Sequence, residues 1–544
     1  MNDAGPAIRI WPVVGLMLIA LALGSIVLPS DDQAVLWRTL TFGLSAAMVA
    51  IPVAVLAAVC LNRGTWLRNG LLFSLIALAV IPPYINVSCW DSAFGKLGWL
   101  TSAQGQILQP LLSGWSAAIW VHAVGFIPPF ALLFFWALAT TRTFEEQARL
   151  DLPPRVIFFH VTLRRLLPLA LLCVLWAMIV CSREIAVTDL YQIGTLAEQI
   201  YLGYSLGQVN SLATNWSTEE IRAAGSIGFA LRAIQFLLLV TVSCAFFGML
   251  TGFSKDSSST IKALQRLPHA GSGNPVGLTI GAAAVLILLV AVPVFNLIFQ
   301  AGTSVTSVDG QPTQMWAFAN LFRAIVKSAS DFQNAFLWST LIALVSSSLI
   351  IVSSTLVCFA AKTNRFAWWL LILLAAIFAG LSGPDIGSGL TAFFAQSQNQ
   401  AFLWFYDCTI GPAVIANLMF CWPIATLVVW FAISQTTNDQ IENAQLDRVG
   451  LLHRIFEFGF RQHWQLFLGI WLLIAAICFS ELSASQMVLP PGIETVPQVT
   501  LGKLHAGVNE TTAALSLLTI GLVVAIALTA WIILKRGNRL GSSG

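Results

Sequence analysis

Glu146-Gln147-Ala148-Arg149-Leu150-Asp151 and Glu442-Asn443-Ala444-Gln445-Leu446-Asp447 are two copies of one phrase, Glu-x-Ala-x-Leu-Asp, set about three hundred residues apart. Thr140-Thr141 precedes the first copy as Thr436-Thr437 precedes the second. Each copy lies in a polar gap between long apolar runs. A hydrophobic chain has few charged residues to place, so a matched pair of acidic segments implies a duplicated unit. It also implies two equivalent surfaces on one face of the membrane.

The chain of 544 residues is 57% hydrophobic and only 9% charged. Soluble domains carry roughly 25% charged residues, so one soluble core is excluded. The apolar runs reach the ~20 residues that a helix needs to cross a bilayer. The short alternating segments of a membrane barrel are absent from the sequence. An all-α polytopic membrane protein follows. The nine cysteines form no C-x-x-C pair and the six histidines no pair at helical spacing, which gives neither a metal site nor a disulfide framework. A net charge of +3 carries no nucleic-acid signature.

Hydropathy predicts twelve spans, at about 11–29, 36–60, 70–90, 114–139, 166–188, 224–250, 277–299, 335–360, 367–392, 411–433, 465–488 and 512–534. With the N-terminus inside, nineteen of the 27 basic residues fall on the inner side. The positive-inside rule then puts both termini and both acidic phrases in the cytoplasm.

The duplication extends past the phrase. Leu36-Trp37-Arg38-Thr39-Leu40 matches Leu337-Trp338-Ser339-Thr340-Leu341, Asn62-Arg63 matches Asn364-Arg365, and Glu184 matches Glu481. This divides the chain into a first unit at 1–251, a Ser- and Gly-rich cytoplasmic linker at 252–275 and a second unit at 276–544. Six spans per unit is an even number, so both units enter the membrane in the same sense. A pseudo-two-fold axis along the membrane normal would relate them.

The phrase after the fourth span of a six-span unit resembles the "EAA" loop of ATP-binding-cassette importer permeases. Val161-Thr162-Leu163 before Pro168, then Arg183-Glu184-Ile185-Ala186-Val187-Thr188-Asp189, extend the likeness. In the second half it continues through Glu481-Leu482-Ser483-Ala484-Ser485 and Leu489-Pro490-Pro491-Gly492-Ile493-Glu494-Thr495. Together they look like the fused permeases of ferric-iron or thiamine importers, the last stretch most like the iron type. The resemblance implies that Glu146, Ala148, Leu150 and Asp151, with Glu442, Ala444, Leu446 and Asp447, dock two copies of a cytoplasmic ATPase. It further implies cargo delivered by an extracytoplasmic binding protein, in a bacterial inner membrane. The chain departs from the family at Leu152 and Arg448, where a Gly is usual; Pro153-Pro154 and Gly450 supply turns instead.

No G-x-x-x-x-G-K-[ST] loop occurs, so the chain is expected to be a transport subunit with no catalytic residue or cofactor of its own, ATP being used by the partner. Glu184, Asp189 and Glu481 are candidates for the translocation path or outer gate, because intramembrane acids usually face protein or water. The alternative places Glu184 and Glu481 at the outer headgroups, with Glu184 paired to Arg183. Thiamine or another small solute is the alternative cargo. A twelve-span secondary transporter is the alternative machine, against which stands the loop Asn62–Asn69, with Arg63 and Arg68 but no acid.

Overall fold

A computed structural model describes residues 30–63, 66–96, 98–101, 110–148, 153, 156, 163–205, 233–244, 246–247, 276–308, 311–395, 397, 399–434, 450, 453, 456–457, 461 and 464–540. The expected span at 11–29, the linker at 252–275 and the second acidic phrase lie outside the described residues.

The protein is an all-α polytopic membrane protein. Among the described residues seven helices are long and apolar enough to cross a membrane, or up to nine if each of two bent pairs is one span. In chain order the helices are α1 (Ser30–Arg63), α2 (Arg68–Leu78), α3 (Pro83–Phe94), α4 (Gly114–Ala148), α5 (Arg164–Arg183), α6 (Ala186–Leu190), α7 (Leu196–Ser205) and α8 (Ala233–Cys244). They continue with α9 (Val276–Gly302), α10 (Phe318–Asp331), α11 (Gln333–Thr363), α12 (Arg365–Gly380), α13 (Gly383–Ala395), α14 (Gln400–Cys408) and α15 (Gly411–Ser434). The last three are α16 (Trp464–Phe479), α17 (Val496–His505) and α18 (Glu510–Leu540). Between α9 and α10 lies a hairpin that the hydropathy reading did not contain, β1 (Thr303–Val308) paired antiparallel with β2 (Gln311–Trp316).

Two expected spans are not straight. The segment read as 70–90 is α2 and α3, bent by 109°, and the segment read as 367–392 is α12 and α13, bent by 93°. The breaks have different chemistry. At the first, Pro82 is extended and Pro83 opens α3, where its missing N–H costs nothing. At the second, Ser382 Oγ donates to Asp385 Oδ2 (2.6 Å), and the Asp385 N–H donates back to Ser382 Oγ (3.2 Å). That reciprocal box caps α13. Spans read as 166–188 and 465–488 are shorter than expected: α5 stops at Arg183 and α16 at Phe479.

The same packing recurs in both halves of the chain. Helix α1 lies against α4 and α5, and α11 lies against α15 and α16. Thr39 Oγ1 on α1 accepts the N–H of Leu196, the first residue of α7, at 3.1 Å. Ser339 Oγ on α11 accepts the N–H of Val496, the first residue of α17, at 2.8 Å. The bond therefore pairs Thr39 with Ser339, one position off the Thr340 suggested by the sequence match. The halves interlock: α18 packs on α2 and α3, α9 on α1 and α3, and α13 on α7. Asn296 donates to the Cys89 carbonyl (3.1 Å), and Ser516 to Ser88 (2.8 Å), across that boundary.

Both hydroxyls are buried, so their loss strands a backbone donor, at a cost of about 1–3 kcal/mol. Thr39→Val and Ser339→Ala should each lower the thermal midpoint of the detergent-purified protein. Thr41→Val, whose exposed hydroxyl bonds only within its own helix, should leave it unchanged.

Candidate functional site

Helix α5 ends where Glu184 adopts an extended backbone, leaving the amides of the next turn without intrahelical acceptors. The Glu184 carboxylate takes one of them, the Val187 N–H, at 3.0 Å. Helix α16 ends in a tighter turn, the Ser480 and Glu481 N–H groups donating to the Ile477 (3.1 Å) and Cys478 (3.4 Å) carbonyls. Two residues past the helix, Glu481 accepts the N–H groups of Ala484 (2.7 Å) and Ser485 (3.0 Å). Both residues are buried within the protein, at 8% and 7% exposure. The two acids matched in the sequence thus do the same local work, closing the turn after a span.

Arg183 is not the partner of Glu184. Its side chain crosses to the other half of the chain, where Nε donates to the Leu381 carbonyl (2.9 Å) and Nη2 to the Phe420 carbonyl (3.1 Å). The guanidinium lies over the Phe420 ring, 4.1 Å from its centroid. Leu381 ends α12 at the bend, so its carbonyl has no helical partner and a cationic donor satisfies it. Arg183 is also within electrostatic reach of Glu481. Glu184 has a different neighbour, His122 of α4, whose Nε2 lies 3.3 Å from Oε2. His122 is buried and stacks edge-on against Phe42. Tyr84, just past the first bend, is buried near Glu481 with its hydroxyl unpartnered.

Arg183 and Tyr84 of the first half meet Glu481 and the Leu381 and Phe420 carbonyls of the second at one seam, and Glu184 with His122 stands beside it in the first half. Gly383 brings two segments of the second half together. A Cβ there would come within 2.7 Å of the Ser483 carbonyl carbon, so the bend before α13 rests directly on the backbone of the Glu481 turn.

Asp189 has a different partner. Its Oδ2 is 3.2 Å from Nε2 of His505, at the end of α17. Nearby, Tyr191 donates to Asp91 at 2.7 Å. Glu198 on α7 is also close enough to Asp189 to sense its charge. The connection back into the membrane is shaped by Pro490-Pro491-Gly492-Ile493, where the Ile493 N–H returns to the Pro490 carbonyl (3.2 Å) and Gly492 has φ +85°. That is a type II turn, which needs Gly at its third position.

Glu146 and Ala148 fall in the last turn of α4, and their side chains lie outside the described residues, as do Leu150, Asp151, Glu442, Ala444, Leu446 and Asp447. Toward the second phrase, α15 is tied at its end by Lys362, whose Nζ donates to the Ile433 carbonyl at 2.7 Å. Arg183, His122 and His505 were not singled out in the sequence as seam or gate residues. Their long-range partners leave no local pattern, although Arg183 beside Glu184 was visible.

Two experiments address the seam and the Asp189 pair. Arg183→Met leaves two carbonyls unpaired and Glu481 without its cation, so it should destabilise by about 3–5 kcal/mol, as when one partner of a buried pair is lost. Adding Glu481→Gln should recover part of that loss in a double-mutant cycle. At the second, the Asp189 hydrogen bond raises the His505 imidazole above its ordinary value. Burial, with the Asp189 charge, pushes Glu198 up to about 7. His505 contributes fully below the ordinary imidazole value and loses that contribution as pH rises through its raised value. Glu198, also raised, becomes a buried charge as pH rises, so both effects have one sign. Stability should fall from about pH 4.5 to about pH 7 through Glu198 and go on falling above the ordinary imidazole value through His505; the lower part of the fall should shrink in Glu198→Gln and the upper part in His505→Gln.

No family model matches the chain. It is similar to the putrescine transport system permease protein PotI of Escherichia coli strain K12, 24% identical over 165 residues. The protein of the same name in Escherichia coli O6:H1 matches equally. The alignment covers 30% of this chain and 58% of the relative's length.

Proposed function

We propose that this chain is the membrane-spanning permease subunit of an ATP-binding-cassette importer, with both halves in one polypeptide. The observation that carries the reading is the repeated Glu-x-Ala-x-Leu-Asp phrase. Similarity to a transport permease supports the reading, and so do the paired geometries of the two halves. Units at 1–251 and 276–544, joined by the cytoplasmic linker at 252–275, would form a twelve-span pseudodimer. Matched carboxylate turns at Glu184 and Glu481, matched hydroxyls at Thr39 and Ser339 and two bent helix pairs support that division.

The chain would sit in a bacterial inner membrane with both termini in the cytoplasm. Two copies of an ATPase subunit would engage Glu146, Ala148, Leu150 and Asp151 on one side and Glu442, Ala444, Leu446 and Asp447 on the other. Helix α4 carries both His122 and the start of the phrase, with Pro128 and Pro129 between them, so a shift at the phrase would reach His122 along a single helix. Helix α15 leads from Phe420 toward the second phrase. ATP-driven approach of the ATPases would shift α4 and α15 and part the seam, provided the ATPases bind the two states unequally. Glu184 and Glu481 line the path in this reading, and Asp189 with His505 closes its outer end. ATP and its hydrolysis belong to the partner, and an extracytoplasmic binding protein delivers the cargo.

The cargo is a small cationic solute. Ferric iron, favoured by the sequence resemblance, and the diamine in the relative's name share positive charge. Buried carboxylates at the seam would stabilise such a charge as it passes. Glu146→Lys combined with Glu442→Lys should abolish uptake in vesicles and remove stimulation of the ATPase while leaving membrane insertion intact. Retained uptake and stimulation in the double variant would sink the docking assignment. Calorimetry on the cognate binding protein identifies the cargo: tight binding of ferric iron or a polyamine supports a cationic solute, and binding of an anionic solute excludes it.

A further inference from the structure

Helix α10 is built unlike every other described helix that borders a span. Span α9 ends at Gly302, and span α11 begins at Gln333. No span lies between them, so both ends belong to the same membrane surface. The Ala317 N–H donates to the Gly302 carbonyl at 3.0 Å, which fixes the start of α10 at the depth where α9 leaves the bilayer. Its other end, Asp331, is separated from α11 by Phe332 alone. A helix of 14 residues, about 20 Å long, bracketed in this way lies along the surface.

It has two apolar faces. Leu321, Ala324 and Ile325 pack on the core. Phe318, Phe322 and Val326, one turn apart from each other, point outward with 75%, 70% and 51% of their surface exposed. Arg323 and Lys327 each follow a residue of that outward stripe and are themselves exposed. The charge nearby is mostly positive: the Lys503 ammonium sits 5.0 Å from the Phe332 ring, and Asp331 is the acid at the helix end. Trp316 packs edge-on against Phe318 with centroids 4.6 Å apart, placing an indole at the same level. Trp at this depth, apolar side chains on one flank and paired cations beside them are what an in-plane interfacial helix requires.

We propose that α10 seats an anionic phospholipid, its acyl chains on Phe318, Phe322 and Val326 and its phosphate on Arg323 and Lys327. The surface it occupies is the one opposite the two acidic phrases, since α11 crosses away from it and α15 leaves by the far side. A phospholipid is favoured over a soluble partner because the outward stripe is continuous with the lipid-facing end of α9, where Phe295 is exposed. The two cations stand one turn apart, close enough to share one phosphate or to hold neighbouring ones.

The full chain carrying Phe322→Cys in a Cys408→Ser background, labelled with an environment-sensitive dye, tests this directly. It is reconstituted in vesicles of four-fifths phosphatidylcholine and one-fifth phosphatidylglycerol, with brominated acyl chains on either lipid in equal amount. Quenching by the brominated phosphatidylglycerol should exceed that by brominated phosphatidylcholine several-fold. Arg323→Gln with Lys327→Gln should erase the difference while quenching persists, and Arg323→Lys with Lys327→Arg should keep it. Equal quenching by both lipids in the parent protein overturns the headgroup selection. A dye quenched by aqueous iodide and by neither lipid overturns the lipid seat and assigns the face to a soluble partner.

Discussion

Inside a bilayer no water is available for a backbone amide or carbonyl that leaves its helix, so every break in a span must be satisfied by the protein itself. That constraint explains where this chain has placed its few buried ionisable groups. Glu184 and Glu481 take up amides just past α5 and α16, Asp385 and Ser382 cap α13, and Arg183 supplies the carbonyl that ends α12. Charge here is a substitute for solvent. Within the second half two breaks meet: the bend before α13 rests on the turn after α16, where Gly383 and Gly387 leave room for the backbone of Ser483 and Ala484.

A seam built from charge is also one that can open. Burying Arg183 has a large desolvation cost, offset by two carbonyls, an aromatic face and the nearby Glu481. All of those partners come from the other half of the chain. Were the halves to part, the same groups would be rehydrated rather than stranded, so the open state is penalised less than it would be at a purely apolar contact. An apolar seam gives up its area on opening and gains nothing from water. Groups that are well satisfied in both conditions suit a two-state element, whose equilibrium an external subunit can bias with modest free energy.

The long apolar helices were legible because length and hydrophobicity suffice to define them: 36–60, 114–139, 277–299, 335–360, 411–433 and 512–534 correspond to α1, α4, α9, α11, α15 and α18 within a few residues. The bends were not, since a run such as 70–90 stays apolar through Pro82-Pro83 and hydropathy has no directional content. Hairpin 303–316 was hidden for the opposite reason, being too polar and short for any hydropathy window. At the site, Glu184 and Glu481 could be picked out as rare acids near span ends, yet their roles as turn acceptors depend on where α5 and α16 stop. Arg183 beside Glu184 invited a local pairing. The structure separates them because the chain becomes extended at Glu184, sending consecutive side chains in opposite directions.

The seam is not symmetric, and in the proposed two-unit arrangement it has reason not to be. Arg183 immediately precedes Glu184, whereas Ser480 immediately precedes Glu481; His122 stands six residues before Pro128, whereas Asn417 stands six before Pro423. Near a two-fold axis, a side chain and its mate compete for one volume, and two guanidiniums there would repel across a low-dielectric gap. One arginine with a small hydroxyl opposite avoids both problems. Asn417, in the place that mirrors His122, donates to the Cys478 carbonyl instead of approaching its acid. If the chain is two fused units, as proposed, fusion permits such differences, because each position can then change without its mate. On that reading the seam holds two carboxyl side chains, one arginine and one imidazole, an unequal set that an unfused symmetric dimer, which repeats every residue, could not hold.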